Sequence, residues 1–151
     1  FDIPVDIFMA FGNAELLNLQ KQAWSNLKLI SLPFIPQDDF DYLLAQCDFN
    51  IVRGEDSFVR AQLVGRPFIW NIYPQDDGAH LIKLQAFLDL YLKEATPELR
   101  ATITKAMAWA DINQWWTALP HWNQLARVWR SQLLESQTDG GLAARLLRFV
   151  S

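Results

Sequence analysis

The sequence predicts an α/β domain, with a parallel sheet covered by helices on both faces and a helical tail at the C-terminal end. Two observations carry that prediction. From Val5 to Tyr91, apolar runs of strand length alternate with stretches of helical periodicity, the pattern of βα units around a buried parallel sheet. From Thr96 onward no strand pattern remains, and apolar residues recur at helical spacing alone.

Val5–Phe11 is the first strand, ended by Gly12-Asn13, and Asn13 can cap a helix carrying Leu16, Leu17, Gln20, Ala23 and Trp24 at helical intervals. Leu27–Leu32 is the second strand, closed by Pro33 and Pro36. Asp38 or Asp39 then caps a short helix with Phe40, Leu43, Leu44 and Cys47 on its inner face. Phe49–Val52 is the third strand. The helix after it stops at Gly65, with Pro67 preventing continuation. Pro67–Tyr73 is the fourth strand, and Pro74–Gly78 is its loop. An amphipathic helix follows, with Leu81, Leu84, Leu88 and Tyr91 inward and Lys83, Asp89 and Lys93 outward. The tail divides into helices around Leu99–Ala110, Trp122–Glu135 and Leu142–Val150, separated by Pro120 and by Gly140-Gly141.

Composition narrows the function classes. A chain of 151 residues, 51% hydrophobic and 20% charged, can bury a core of its own. A formal net charge of −4 argues against general affinity for nucleic acid or an anionic membrane, so an anion site has to be local. The single cysteine, Cys47, excludes an internal disulfide and fits a reducing compartment. No apolar run approaches the roughly 18 residues of a membrane span, and no charged-then-apolar leader is evident, so a soluble cytoplasmic protein is expected. The first residue is Phe1 rather than Met, which suggests one domain of a longer protein. Of seven tryptophans, five lie between Trp109 and Trp129, and they are expected to pack the tail or form one interface.

In a parallel sheet, ligands bind beyond the carboxyl ends of the strands, so the loops at Gly12-Asn13, Pro33–Gln37, Arg53–Ser57 and Tyr73–Asp77 share the expected binding edge. Asn50–Gln62 reads as strand, tight turn and helix start. Helix N-termini present backbone N–H groups and partial positive charge, so phosphate capture by the amides of Glu55, Asp56 and Ser57, with the Ser57 hydroxyl and the Arg53 fork, is one reading. The other is that Asp56 caps the helix while Arg53 pairs with Glu55 on the surface. Only Gly54 is present, so this is neither a Walker loop nor a dinucleotide fingerprint. In the Leu32–Gln37 loop, two prolines stiffen the backbone, Phe34 can stack on a planar base, and Gln37 can bond a base edge; a stiff connector with a core phenylalanine is the plainer reading. His80 and His121 have no partner at metal-ligand spacing, so no metal is expected. Cys47, on an apolar helix face, reads as packing rather than a nucleophile.

The combination is more specific than its parts. Cys47–Gln62, with Leu32–Gln37 before it and Pro67–Gln75 after it, resembles the signature of the elongation factor P maturation arginine rhamnosyltransferases. His80, Lys83, Leu84, Ala86, Phe87 and Leu88 continue the likeness. The resemblance implies one Rossmann-like half of a two-domain GT-B glycosyltransferase, with residues 1–151 as the C-terminal nucleotide-sugar-binding domain and an N-terminal acceptor domain outside this chain. It implies transfer of rhamnose from dTDP-β-L-rhamnose to an arginine of elongation factor P, with inversion and without metal or other cofactor. It places Phe34 and Gln37 on thymine, Arg53, Asp56 and Ser57 on the diphosphate, Glu55 beside the sugar as an assisting group, and Tyr73 and Gln75 on the nucleotide from the next loop. Phe11 and Asn13 match the family's aromatic-lined first turn, where a tyrosine is usual at the position of Phe11. The passage from Gln20 to Leu27 is shorter than in the family, and nothing here matches the segment that carries the family's catalytic base. Two other readings remain: a non-catalytic interaction module using the tryptophan-rich tail, and a GT-B transferase with a different nucleotide-sugar donor.

Overall fold

The computed structural model describes residues 4–10 and 26–136, and these divide into two compact units at Phe40/Asp41. Phe11, Asn13, the helix expected after them and the helix expected over Leu142–Val150 lie outside the described residues. In the first unit, β1 (Val5–Ala10) and β2 (Leu27–Leu32) pair in parallel, in register from Val5↔Leu27 to Ala10↔Leu32. After β2, the loop with Pro33 and Pro36 leads into α1 (Gln37–Gln46), where the Pro36 carbonyl accepts from Phe40 N. The helix thus begins before Asp38 and Asp39, which occupy its first turn rather than its cap.

The second unit is built on another parallel pair, β3 (Asn50–Val52) and β4 (Phe68–Trp70), joined by α2 (Glu55–Val64). β3 matches the expected Phe49–Val52 run to within one residue, while β4 is shorter than Pro67–Tyr73 because beyond Trp70 the chain turns into its loop. α3 (Ala79–Tyr91), α4 (Pro97–Met107) and α5 (Ile112–Glu135) follow. The Asn50 side chain is buried and donates to the Leu44 carbonyl at 3.0 Å, fixing the end of α1 to the start of β3. All of β4 is buried, as befits a strand covered on both sides, with Ile69 at 0% exposure.

Aromatic residues form the core around β4. Phe58 of α2 stacks on Trp70 with centroids 3.8 Å apart, and Phe87 meets Phe58 edge-on at 4.9 Å and Tyr91 face-on at 5.1 Å. Such pairs add about 0.5–1.5 kcal/mol each to the area they bury. Trp122 is fully buried and donates from Nε1 to the Tyr91 hydroxyl at 3.0 Å, while Trp129 Nε1 donates to Gln62 Oε1 at 3.0 Å. Those two bonds fasten α5 to α3 and α2. The tail's tryptophans are therefore chiefly packing: Trp115 and Trp122 are buried, and Trp109 and Trp116 are the exposed ones.

Two sequence expectations change here. Pro120 lies inside α5 and does not end it. An internal proline costs a helix about 3 kcal/mol, which the burial of Trp115, Trp122 and Ala126 on either side exceeds. On α3 the inner face is Leu84, Phe87, Leu88 and Tyr91, while Leu81 is 61% exposed. Leu81 falls one turn too early to reach β4, whose ring partners on this helix begin at Phe87.

Candidate functional site

The strand-end turn is set by the core beneath it. β3 and β4 are parallel and paired from Asn50↔Phe68 to Val52↔Trp70, so the chain leaves both strands at the same edge. Asn71 N donates to the Val52 carbonyl at 2.8 Å, extending the ladder by one bond. The buried Trp70 reaches forward and donates from Nε1 to the Arg53 carbonyl at 3.1 Å, so a core side chain fixes the backbone of the turn.

Arg53 and Tyr73, twenty positions apart in sequence, meet at that edge: the guanidinium carbon lies 4.3 Å from the Tyr73 ring centroid. A cation over an aromatic face is attracted by the ring, so Tyr73 helps to position the guanidinium. Among the described residues no carboxylate pairs with Arg53. The surface pair between Arg53 and Glu55, one of the two readings of the turn, is replaced by another arrangement. Glu55 Oε1 lies 3.3 Å from Lys83 Nζ of α3, and Asp56 Oδ2 accepts from Arg60 Nε at 2.8 Å, with Arg60 also bound to Asp41 at 2.6 Å. Asp56 is not the cap either. The N-cap is Gly54 (φ −72°, ψ 157°), which has no side chain to cover the amides that follow. The Ser57 hydroxyl donates to the Gly54 carbonyl at 2.8 Å, so its one proton is engaged with the backbone.

The second loop is also held by named bonds. Gln75 N donates to His80 Nδ1 at 3.0 Å, and the Gln75 carbonyl accepts from Gly78 N at 3.0 Å. Gly78 has φ +72°, a left-handed conformation that glycine adopts without penalty, and Asp77 Oδ1 accepts from Ala79 N at the start of α3. Tyr73 and Gln75 are exposed there. Phe34, at 83% exposure, and Gln37, the first residue of α1, sit together in the loop after β2 of the first unit.

The sequence reading missed His80 and Lys83 as parts of this region. The signal available was their spacing: three apart on a helix, they share a face. Among the described residues no group of three His, Cys, Asp or Glu side chains is arranged to hold a metal ion, and no helix is long and apolar enough to cross a membrane. Cys47 is half-buried, and burial, with Asp48 nearby, pushes its thiol upward, away from thiolate character. A groove of about 490 Å³ lies elsewhere, between α4 and α5, lined by Thr96, Leu99, His121 and Leu125.

Comparison with known proteins gives this edge a context. The family described as elongation factor P (EF-P) rhamnosyltransferase EarP matches residues 4–151. A protein-arginine rhamnosyltransferase of Shewanella oneidensis is 42% identical over 157 aligned positions, covering 97% of this chain and 37% of the relative. One from Pseudomonas aeruginosa is 44% identical, covering 82% of this chain and 34% of the relative. The chain thus spans little more than a third of the length of these relatives. A solved structure described as the structural basis for EarP-mediated arginine glycosylation of translation elongation factor EF-P superimposes with a TM-score of 0.79 at 36% identity, over 99% of this chain and 52% of that one.

Proposed function

Because the chain belongs to the elongation factor P rhamnosyltransferase family, we propose that it supplies the donor-nucleotide half of a GT-B protein-arginine rhamnosyltransferase. Residues 1–151 form the C-terminal nucleotide-sugar domain, and an N-terminal domain outside this chain binds the acceptor. The donor is dTDP-β-L-rhamnose, the acceptor an arginine of elongation factor P, and the setting the cytoplasm, where translation factors work. One observation carries the reading: the Arg53 guanidinium lies over the Tyr73 ring at the head of α2, and both neighbouring carboxylates are drawn to other cations.

The chemistry follows from that arrangement. In an inverting transfer a nitrogen of the acceptor arginine bonds to the anomeric carbon as the carbon–oxygen bond to the diphosphate breaks. dTDP leaves with the electron pair, and a base takes the proton from nitrogen. The departing charge needs preorganised donors, which Arg53 and the first amides of α2 supply without a metal. Phe34 stacks on thymine, Gln37 bonds its edge, and Tyr73 and Gln75 face the nucleotide. The resemblance also assigns Phe11 and Asn13 to the nucleotide-sugar, and Ser57, whose hydroxyl donates to the Gly54 carbonyl, offers phosphate its backbone amide. Asp56, tied to Arg60, contributes its backbone, and Glu55 lies beside the sugar. A protonated guanidinium is a poor nucleophile, so the base belongs to the acceptor domain and this chain alone transfers nothing.

Titration calorimetry with dTDP and UDP tests the reading. Saturable binding of dTDP with weaker binding of UDP is expected; equal affinities would favour a transferase with a different donor, and no dTDP binding at millimolar ligand would refute the donor role. An interaction module built on exposed tryptophans is disfavoured by the burial of Trp115 and Trp122.

A further inference from the structure

The first two turns of α3 reach both loops of the proposed donor site. His80 Nδ1 accepts the Gln75 amide, and one turn later Lys83 Nζ reaches Glu55 Oε1, 28 residues back in the chain. The two side chains share one helix face, and each touches a different strand-end loop. We propose that His80 and Lys83 are positioning residues for the donor site: His80 sets the backbone of the Tyr73–Gln75 loop, and Lys83 holds and neutralises Glu55 beside the seat of the diphosphate.

Neither contact has much to offer stability. The Lys83–Glu55 pair is 48% and 78% exposed at its two side chains, and exposed pairs contribute about 0–1 kcal/mol. Its weight lies in charge. With Lys83 absent, an unpaired carboxylate stands next to the position where two phosphates must settle, and like charges a few ångströms apart repel strongly enough to cost several-fold in affinity. His80 acts through geometry. Its Nδ1 accepts in a position that an asparagine Oδ1 also occupies, both atoms being bonded to Cγ, so the conservative replacement can restore the bond.

The inference rests on the donor-site reading, and the test separates the two. The measurements are dTDP affinity by calorimetry and the midpoint of thermal unfolding, on the chain and its variants. Lys83→Met is expected to weaken dTDP about fivefold, with a midpoint close to that of the unsubstituted chain. In a Glu55→Gln background the same change is expected to cost nothing, because the charge to be neutralised is gone. His80→Ala is expected to weaken dTDP about threefold, and His80→Asn to restore most of it. Equal losses from Lys83→Met with and without Glu55, or variants that bind as tightly as the unsubstituted chain, would overturn the inference while leaving the donor site standing. Failure of the unsubstituted chain to bind dTDP would refute the donor-site reading and this inference with it.

Discussion

Arg53 is where local sequence and tertiary structure combine. Its place in a tight turn after β3 is legible in Asn50–Gln62, because strand, turn and helix start are set by neighbours in the chain. Its stacking on Tyr73 and its distance from Glu55 are not legible, since both depend on how β3 and β4 register. The same holds for Glu55, whose partner Lys83 lies 28 residues on. Arg53→Ala should weaken dTDP binding at least about tenfold, because charge-assisted bidentate contacts to phosphate are strong. Arg53→Lys should restore only part of that, since an ammonium has no plane to lay on Tyr73. Cys47→Ser should leave affinity unchanged, the thiol being half-buried just after α1, in the connection that leads into β3. Calorimetric titration of the three variants checks all of these.

At the scale of elements, the punctuation was the most readable part of the chain. Gly65 closes α2 in the left-handed region at φ +69°, as the Gly65–Pro67 pattern predicts. α4 starts two residues before the expected Leu99, with Thr96-Pro97 as its unread signal: the Thr96 hydroxyl accepts from Leu99 N, and the proline sits where no amide partner is needed. Pro120 misleads for a physical reason, since propensity is overridden where a helix carries buried tryptophans on both sides of the break. Leu81 misleads because periodicity marks a face without marking how far the packing partner extends. Gly65 also yields a stability prediction. A Cβ there would lie 2.7 Å from Arg130 Cδ, displacing a side chain that donates to the Leu63 carbonyl at 2.7 Å. Gly65→Ala should therefore cost about 2 kcal/mol, from left-handed strain and the lost bond together. Trp122→Ala, at 0% exposure, should cost about 3–5 kcal/mol. Urea denaturation of both variants measures these values.

For the whole molecule, alternation of strand and helix patterns was enough to give parallel pairing, because βα connections leave few other topologies. The early end of β4 is not legible, because its apolar run continues past Trp70 into the Tyr73–Gln75 loop. The loops of the proposed donor site are legible as motifs in order along the chain, while the Glu55–Lys83 pair is not, because it needs α3 in place. The division of labour predicts that this chain, mixed with dTDP-rhamnose and elongation factor P, yields no rhamnosylated arginine by mass spectrometry. A modified product would contradict the assignment of the base to another domain. The central claim, that the turn from Arg53 to Ser57 seats a diphosphate, is tested most directly by a crystal structure of the chain with dTDP bound. The account predicts phosphate oxygens within hydrogen-bond distance of the Arg53 guanidinium and the first amides of α2, with the nucleoside toward Tyr73. Nucleotide bound in the groove between α4 and α5, with Arg53 still bare on its tyrosine, would contradict it.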